Sequence, residues 1–316
     1  MDFAESLRVL PTRTMRSVLI SLSHRRFLAR TAVRSSLARS VVARFVAGET
    51  LQAALPAIAE LQRAGLRTTV DVLGESATSV DQAAAAVDRY LVTIAALSER
   101  GLDVNVSLKL TQMGLGIDAA TCLANVMRVL EALRAVDGFV RFDMEDHTRT
   151  DATLEIWRAA HEVYPKVGVV IQAALRRSSA DVDAIIAAGG RVRLCKGAYD
   201  ESGSIAYRTR SALDANYARL MERLLLADVH PALATHDPRL IAKAIAITER
   251  EGIERDRFEF QMLYGVRRDL QRTLINRGYT VRIYVPYGGE WYPYFMRRLA
   301  ERPANVAFML RAIFKR

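Results

Sequence analysis

The sequence predicts a single α/β domain, a (β/α)8 barrel of the TIM type, with extra N-terminal helices and a final helix over the barrel mouth. Eight short apolar or β-branched runs recur about 25 to 40 residues apart, and a helical pattern separates each pair. Strands joined by helices pair in parallel, and eight such units favour a closed barrel. An open doubly wound sheet is the alternative, but it does not require eight units. No Gly-x-Gly-x-x-Gly fingerprint follows any of the runs.

Capping residues and glycine stops bound the predicted helices. Thr50 begins the first helix and Gly65 ends it, while Ser79 and Gln82 form a capping box for a helix that ends near Gly101. The later helices are predicted to begin near Asp118, Asp151, Ser179, Ser211 and Asp237-Pro238, and the last stops are Gly189-Gly190, Gly252 and Gly278. The predicted strands are 66–73, 104–111, 140–145, 167–173, 191–196, 231–236, 257–262 and 280–286.

The N-terminal segment is rich in arginine and serine and has no acidic residue from 6 to 48. That composition resembles an organellar transit peptide. Val33, Leu37, Val41 and Phe45, however, recur every four residues before Gly48, as in an amphipathic helix that packs on a domain. We therefore expect residues 1–49 to form a helical segment packed on the barrel, and residues 50–316 to form the barrel itself.

The net charge of +10 is concentrated at the two ends of the chain. Residues 1–50 contain nine arginines and three acids, and residues 291–316 contain six basic residues and one acid. A nucleic-acid binder with a basic body is therefore disfavoured. The basic ends are consistent with peripheral contact with an anionic membrane surface and equally with two solvated helical faces. The chain has no apolar run near the length of a spanning helix.

Polar residues follow the predicted strands where a barrel carries its active site. The interior of a purely structural barrel is mostly valine, isoleucine and leucine. This many polar residues together therefore indicate that the interior binds a ligand and that the charged groups pair with one another. The residues are Asp71, Glu75, Lys109, Asp143, Glu145, Gln172, Arg193, Lys196, Thr235, His236, Gln261 and Tyr284.

General chemistry leaves several kinds of site to weigh. No metal site is predicted, because only His236 stands at a strand end, and Cys122 and Cys195 match no metal or redox spacing. So few thiols suit a reducing, cytoplasmic compartment. Hydrolysis is disfavoured by the absence of a Gly-x-Ser-x-Gly elbow. Lys109 or Lys196 could form a Schiff base in a lyase, and a non-enzymatic basic adaptor is a further alternative.

The motifs as a set resemble proline dehydrogenase. The residues that carry the resemblance are "RLCKGAYDE" (193–201), "ATHD" (234–237), "FEFQML" (258–263), "RIYVPYG" (282–288) and "RRLAE" (297–301). The early strands fit through "DVLGES" (71–76), "SLKLT" (107–111) and "DMED" (143–146). The resemblance spans roughly residues 50–310, and the size suits the monofunctional bacterial type.

The resemblance implies a (β/α)8 flavoenzyme with FAD at the carboxyl ends of the strands. Such an enzyme oxidises L-proline to Δ1-pyrroline-5-carboxylate by hydride transfer to FAD and passes electrons to a membrane quinone, in the first step of proline catabolism. We accordingly expect a cytoplasmic protein with peripheral contact at the inner membrane and no nucleic-acid partner. A hydroxyproline-preferring relative is a close alternative, but Tyr284 favours proline.

The resemblance also implies how proline is held. Lys109, Arg297 and Arg298 are expected to bind its carboxylate, since charge-assisted bonds position a desolvated anion well. The ring is expected to lie against Tyr199, Leu263 and Tyr284, with Asp143 orienting Lys109 or Arg298. Glu75 is expected to form an ion-pair gate with Arg297. The predicted catalytic residues are Lys109, Arg193, Tyr284, Arg297 and Arg298.

The expected contacts with FAD come from several strands and from the last helix. Arg193 is placed at the isoalloxazine ring, where its charge favours the reduced anionic flavin. Thr235 and His236 are expected on the adenosine or pyrophosphate side. The full set is Met144, Gln172, Arg193, Cys195, Lys196, Gly197, Ala198, Thr235, His236, Gln261, Arg298 and Glu301.

Overall fold

The computed structural model of the chain describes residues 42–301, and their side chains as far as Met296. Eight parallel strands close into a barrel in chain order, which confirms the predicted fold class. The strands are β1 (Arg67–Val72), β2 (Asn105–Lys109), β3 (Phe139–Asp143), β4 (Val167–Gln172), β5 (Arg191–Cys195), β6 (Ala232–Ala234), β7 (Glu259–Leu263) and β8 (Val281–Tyr287). Each overlaps the corresponding predicted run.

The helices alternate with the strands as predicted. They are α1 (Leu51–Arg63), α2 (Val80–Glu99), α3 (Ala119–Ala135), α4 (Thr150–Val163), α5 (Ser178–Ala187), α6 (Arg210–Leu226), α7 (Pro238–Arg250), α8 (Arg268–Asn276) and α9 (Trp291–Glu301). Thr50, Ser79 and Asp118 cap their helices by accepting backbone N–H groups. The start of α4 differs by one residue from the prediction, because Asp146 caps a 3-10 turn, His147–Arg149, that runs directly into it.

The hydrophobic core lies between the barrel and its surrounding helices. Val70, Val106, Val140, Leu194 and Phe260 point outward from their strands and are fully buried. Because side chains alternate along a strand, the residues on either side of them point into the barrel. The alternation of side chains along each strand therefore determines both which residues join the core and which residues line the barrel interior.

Residues 42–49 pack against the start of α9. The rings of Phe45 and Phe295 have centroids 6.1 Å apart, and Trp291 Nε1 donates to Glu49 Oε1 at 3.1 Å. Trp291 and Tyr294 are buried. Most of the predicted helix through Val41 lies outside the described residues, and the division at residue 49 stays a prediction. Within residues 42–301, no helix is both long and apolar enough to span a membrane.

Candidate active site at the carboxyl ends of the strands

Asp143, at the end of β3, is the centre of a polar cluster inside the barrel. Its carboxylate accepts hydrogen bonds from Ser107 Oγ at 2.7 Å, Arg193 Nη1 at 2.8 Å and Tyr284 OH at 2.7 Å. Lys109 Nζ lies 3.7 Å from the same carboxylate. Three strands, β2, β5 and β8, thus direct polar groups toward one acid on β3, and the structure brings together Lys109, Asp143, Arg193 and Tyr284, four of the predicted site residues.

Strand register explains the convergence. Lys109 is the registered neighbour of Asp143, and Asp71 is the registered neighbour of Ser107. Asp71 is fully buried and accepts a hydrogen bond from Lys109 Nζ at 2.9 Å. Ser107 was not among the predicted site residues, although its position two residues before Lys109 on the same strand face was a usable signal.

The cluster has a definite charge arrangement. Burial alone would raise the pKa of Asp143, but the charges of Lys109 and Arg193 and the hydrogen bonds from Ser107 and Tyr284 together outweigh it and hold the pKa below the usual value. Burial, followed by the charges of Asp143 and Asp71, raises the pKa of Tyr284 well above its usual value. Asp143 is therefore an ionised acceptor and Tyr284 a neutral donor.

Arg193 on β5 is only 5% exposed, and protein groups fix most of its guanidinium. Its Nε donates to Gln261 Oε1, and its Nη1 donates to Asp143 and to Ser107 Oγ at 3.0 Å. The guanidinium carbon lies 5.3 Å from the centre of the Tyr284 ring. Among the described residues Nη2 has no hydrogen-bond partner. A buried donor without a partner is costly, so its place is suited to a ligand acceptor.

The loop after β5 approaches the end of β4 closely. Gly197 has φ +108°, and a Cβ there would lie 2.8 Å from Gln172 Oε1 and 3.1 Å from Ala174 Cβ. Gln172 Nε2 in turn donates to the backbone oxygen of Glu145 at 2.6 Å, next to buried Met144. Glycine is required at 197 by both conformation and space, because the Gln172 side chain occupies the place that a Cβ would take.

Lys196 lies in a second charged group beside the β6 end. Its Nζ donates to Asp214 Oδ1 and lies 3.4 Å from Asp237 Oδ2. Thr235 Oγ1 accepts the backbone N–H of Asp237 at 3.1 Å. A hydrogen bond from Arg239 holds the pKa of Asp237 below its usual range. Asp214 was missed by the sequence reasoning because its segment carries no recognisable motif.

The last predicted contacts lie around the ends of β6 and β7. His236 Nε2 accepts the backbone N–H of Leu263 at 3.0 Å, and Leu263 is the registered neighbour of Tyr284. Tyr199, in the loop after β5, is 43% exposed. Cys195 and Ala198 are half-buried in the same region, and Glu75 is exposed in the loop after β1.

Three of the predicted site residues lie at the end of the described part of the chain. Arg297, Arg298 and Glu301 fall within α9, but their side chains lie outside the described part of the chain. In the part that is described, no group of three histidine, cysteine or acidic residues could hold a metal ion. Lys109 and Lys196 each lie against carboxylates and not in the apolar pocket typical of a Schiff-base lysine.

Comparisons with known proteins agree with this arrangement. A family model described as "Proline dehydrogenase" matches residues 54–311. "Proline dehydrogenase 2" of Bacillus subtilis is 38% identical over 295 residues, which are 92% of this chain and 97% of the relative. "Proline dehydrogenase" of Deinococcus radiodurans is 40% identical over 277 residues, 86% of this chain and 89% of the relative.

A solved structure shares the fold. It is proline utilization A (PutA) from Bdellovibrio bacteriovorus inactivated by N-propargylglycine, with a TM-score of 0.79 and 27% identity. The match covers 88% of this chain but only 34% of that longer one. The family model, the relatives matched over nearly their whole length and the shared barrel together show that this chain belongs to the proline dehydrogenase family.

Proposed function

We propose that this protein oxidises L-proline to Δ1-pyrroline-5-carboxylate with bound FAD and that a membrane quinone takes the electrons. The observation that carries the proposal is the buried, partnerless Nη2 of Arg193 beside the polar cluster at the barrel mouth. Such a donor needs an acceptor that the described residues do not supply. A flavin ring, which carries ring nitrogens and carbonyl oxygens, offers one.

The residues present fit a flavin. Gly197, with φ +108° and no Cβ, lets the loop after β5 pack directly on Gln172, which would place the backbone of residues 195–198 beside the proposed cofactor. The residues proposed to hold FAD are Met144, Gln172, Arg193, Cys195, Lys196, Gly197, Ala198, Thr235, His236 and Gln261, with Arg298 and Glu301 from α9. When bound, FAD would supply the hydride acceptor that no side chain provides.

The protein's own part is to bind and orient proline. Lys109 would hold the substrate carboxylate together with Arg297 and Arg298, and its hydrogen bond to Asp71 and its ion pair with Asp143 fix the ammonium in place. Tyr284 and Leu263, neighbours across β7 and β8, would form the apolar wall that packs the ring. Orientation of this kind accounts for a large share of rate acceleration.

Tyr284 would hold its proton throughout. Its hydroxyl donates to Asp143 Oδ2 at 2.7 Å, and its pKa is raised well above the usual value by burial and the neighbouring acids. A phenol in that state is a poor proton acceptor. We propose that the proline amine loses its proton to water and that Tyr284 serves to pack the ring and fix Asp143.

The membrane contact is proposed from charge. Both basic ends of the chain lie largely outside the described residues, and their arginines and lysines would be attracted to anionic headgroups. Cosedimentation with vesicles of anionic lipid should exceed that with zwitterionic vesicles and should weaken as salt is raised. Equal binding to both kinds of vesicle would contradict this part of the proposal.

The decisive test is the visible spectrum of the purified protein, recorded without oxygen before and after addition of L-proline. Flavin absorption that bleaches with L-proline, and less readily with hydroxyproline, is the expected result. Flavin absorption that is unchanged by L-proline but bleaches with another imino acid would show that the other imino acid is the substrate. A colourless protein that cannot be reconstituted with FAD would overturn the proposal.

Glu75 is proposed to gate the site through an ion pair with Arg297. Replacing Glu75 with alanine should raise the KM for proline more than it lowers kcat, because the gate acts on binding. Glu99→Ala is the matched control, since Glu99 is also exposed but ends α2 at the opposite end of the barrel. An unchanged KM in Glu75→Ala would refute the gate.

A further inference from the structure

Glu259 is a buried acid of β7 that the proposed chemistry leaves without a role. It is 4% exposed and points into the barrel two residues before Gln261. Its Oε1 accepts a hydrogen bond from Gln261 Nε2, and its two oxygens lie 3.0 and 2.9 Å from Arg282 Nε. Gln261 Oε1 in turn accepts from Arg193 Nε. A continuous chain therefore runs from Glu259 through one amide to Arg193.

The chemistry of the three groups fixes the direction of that chain. An arginine side chain can only donate hydrogen bonds, and an ionised carboxylate can only accept them. The amide of Gln261 lies between Arg193 and Glu259, so only one of its two orientations satisfies both neighbours. Burial alone would raise the pKa of Glu259, but the charge of Arg282, the hydrogen bond from Gln261 and the charge of Arg141 together outweigh it and lower the pKa, which keeps the acid ionised.

We propose that Glu259 is a positioning residue for the flavin-binding arginine, acting through Gln261. By holding the amide nitrogen, Glu259 presents the amide oxygen to Arg193 Nε and so directs the partnerless Nη2 toward the cofactor. The inference rests on the proposed function, since it assumes that Arg193 contacts FAD. Glu259 itself lies too deep on β7 to be assigned to the cofactor site.

A purely structural role for Glu259 makes a different prediction. Glu259 would then only neutralise Arg282, and any other loss of an acid beside Arg282 would have the same consequences. Asp103 provides that comparison, because its Oδ2 lies 2.8 Å from Arg282 Nη1. The hydrogen bonds of the Gln261 amide are instead with Glu259 and Arg193. Asp103→Asn is therefore the matched control for Glu259→Gln.

The experiment compares Glu259→Gln, Gln261→Met, their combination and Asp103→Asn. In Glu259→Gln the new amide can donate to Gln261, so the Gln261 amide is free to turn its nitrogen toward Arg193. We expect FAD binding to the apoprotein, followed by fluorescence quenching, to weaken about tenfold, as for one hydrogen bond to a charged group. Because the charge of Arg193 favours the reduced anionic flavin, reduced FAD should lose about tenfold more affinity than oxidised FAD, and the midpoint potential should therefore fall by about 30 mV for this two-electron couple.

The double variant tests whether the effect passes through Gln261. If it does, Glu259→Gln adds nothing to Gln261→Met in either flavin readout, because the connecting amide is already gone. Asp103→Asn should lower the melting temperature but leave the potential and the FAD affinity unchanged. Should Glu259→Gln fail to fold, Glu259→Asp takes its place in the same comparisons, since it keeps a negative charge near Arg282 but shortens the side chain that holds the Gln261 amide.

Three results would overturn the inference. Additive effects in the double variant would separate Glu259 from Gln261, and an equal shift of potential in Asp103→Asn would make the role of Glu259 structural. An unchanged flavin potential in Gln261→Met would also exclude it. In each of these cases the wild type binds FAD and bleaches with L-proline, so the proposed function stands. If the wild type binds no flavin, both fail together.

Discussion

Two charged layers lie one above the other inside the barrel, and the protein satisfies them to different extents. In the lower layer Arg282 bonds to Glu259, to the Thr68 carbonyl at 2.7 Å and to Asp103 at 2.8 Å. Arg141 Nη1 donates to the carbonyl of Arg191 at 3.0 Å. These arginines find their partners within the protein.

The upper layer is built from the same residue types but is left incomplete. Asp143 receives several donors, yet Arg193 Nη2 and Asp71 Oδ2 are buried without hydrogen-bond partners among the described residues. The side chains of Lys109 and Asp143 keep 20% and 15% of their surface exposed. The comparison separates a layer that holds the barrel together from one prepared for a ligand, in agreement with the two ends of TIM barrels.

Breaking the lower layer should have the largest effect, and it should appear in stability. Arg282→Met leaves Glu259 buried and uncompensated, which is expected to lower the free energy of unfolding by about 3–5 kcal/mol. Urea denaturation of the apoprotein measures it. Arg128→Met is the control, because its pair with Asp88 at 3.0 Å is exposed and should be worth less than about 1 kcal/mol. Equal losses of unfolding free energy in Arg282→Met and Arg128→Met would show that the buried layer contributes no more to stability than a surface ion pair.

Breaking the upper layer should affect catalysis more than stability. Asp143→Asn removes the charge that holds Lys109 and Arg193 together, and we expect kcat/KM for proline to fall about a hundredfold, or roughly 2.7 kcal/mol. Glu145→Gln is the control on the same strand end. Glu145 accepts from Thr111 and not from the donors around Asp143, and a glutamine there can still accept from Thr111, so Glu145→Gln should change kcat/KM less than about threefold. A larger loss in the control would contradict the central place of Asp143.

The predictability of the fold and of the site follows from the range of the interactions involved. Caps such as Thr50 and Ser79 and the alternation along each strand are local, so the eight units and the inward rows were predictable. The partners within a row are not local. From the sequence, Glu259 and Arg282 are predicted only to be charged residues that point into the barrel. Their hydrogen bond between β7 and β8 is seen only in the structure.

Gly168 gives the same lesson from packing. In the sequence it is one glycine in the apolar run of β4, with no evident purpose. In the structure a Cβ at that position would lie 2.6 Å from Arg141 Nη1, so the missing side chain makes room for the guanidinium. Asp214 was missed for a related reason, because only the approach of α6 to Lys196 reveals it.

A smaller change sharpens the comparison inside the upper layer. Tyr284→Phe removes the hydrogen bond to Asp143 but keeps the ring beneath Arg193. Loss of one bond to a charged group should lower kcat/KM about tenfold. Tyr287→Phe is the control on the same strand, since its hydroxyl pairs with Thr93 at 2.6 Å outside the barrel interior. It should lower the melting temperature and leave kcat/KM unchanged; the reverse pattern would contradict the assignment of Tyr284.

The smallest effect is expected at Cys195, where the proposed cofactor contact is made by the backbone. The Cys195 carbonyl accepts the Ala173 N–H at 2.7 Å, and this bond does not depend on the side chain. Cys195→Val nearly conserves volume and should change the dissociation constant for FAD by less than about twofold.

Cys122→Val is the control for the loss of a thiol. Cys122 is fully buried, its Sγ lies 3.4 Å from the Leu110 carbonyl, and burial raises its pKa to about 12. A thiol reagent should therefore modify native wild-type protein at Cys195 and not at Cys122, and Cys195→Val should abolish that reaction while retaining flavin. If Cys195→Val instead weakened FAD binding as much as Glu259→Gln, the Cys195 side chain and not its backbone would make the contact. The upper layer would then extend to the end of β5.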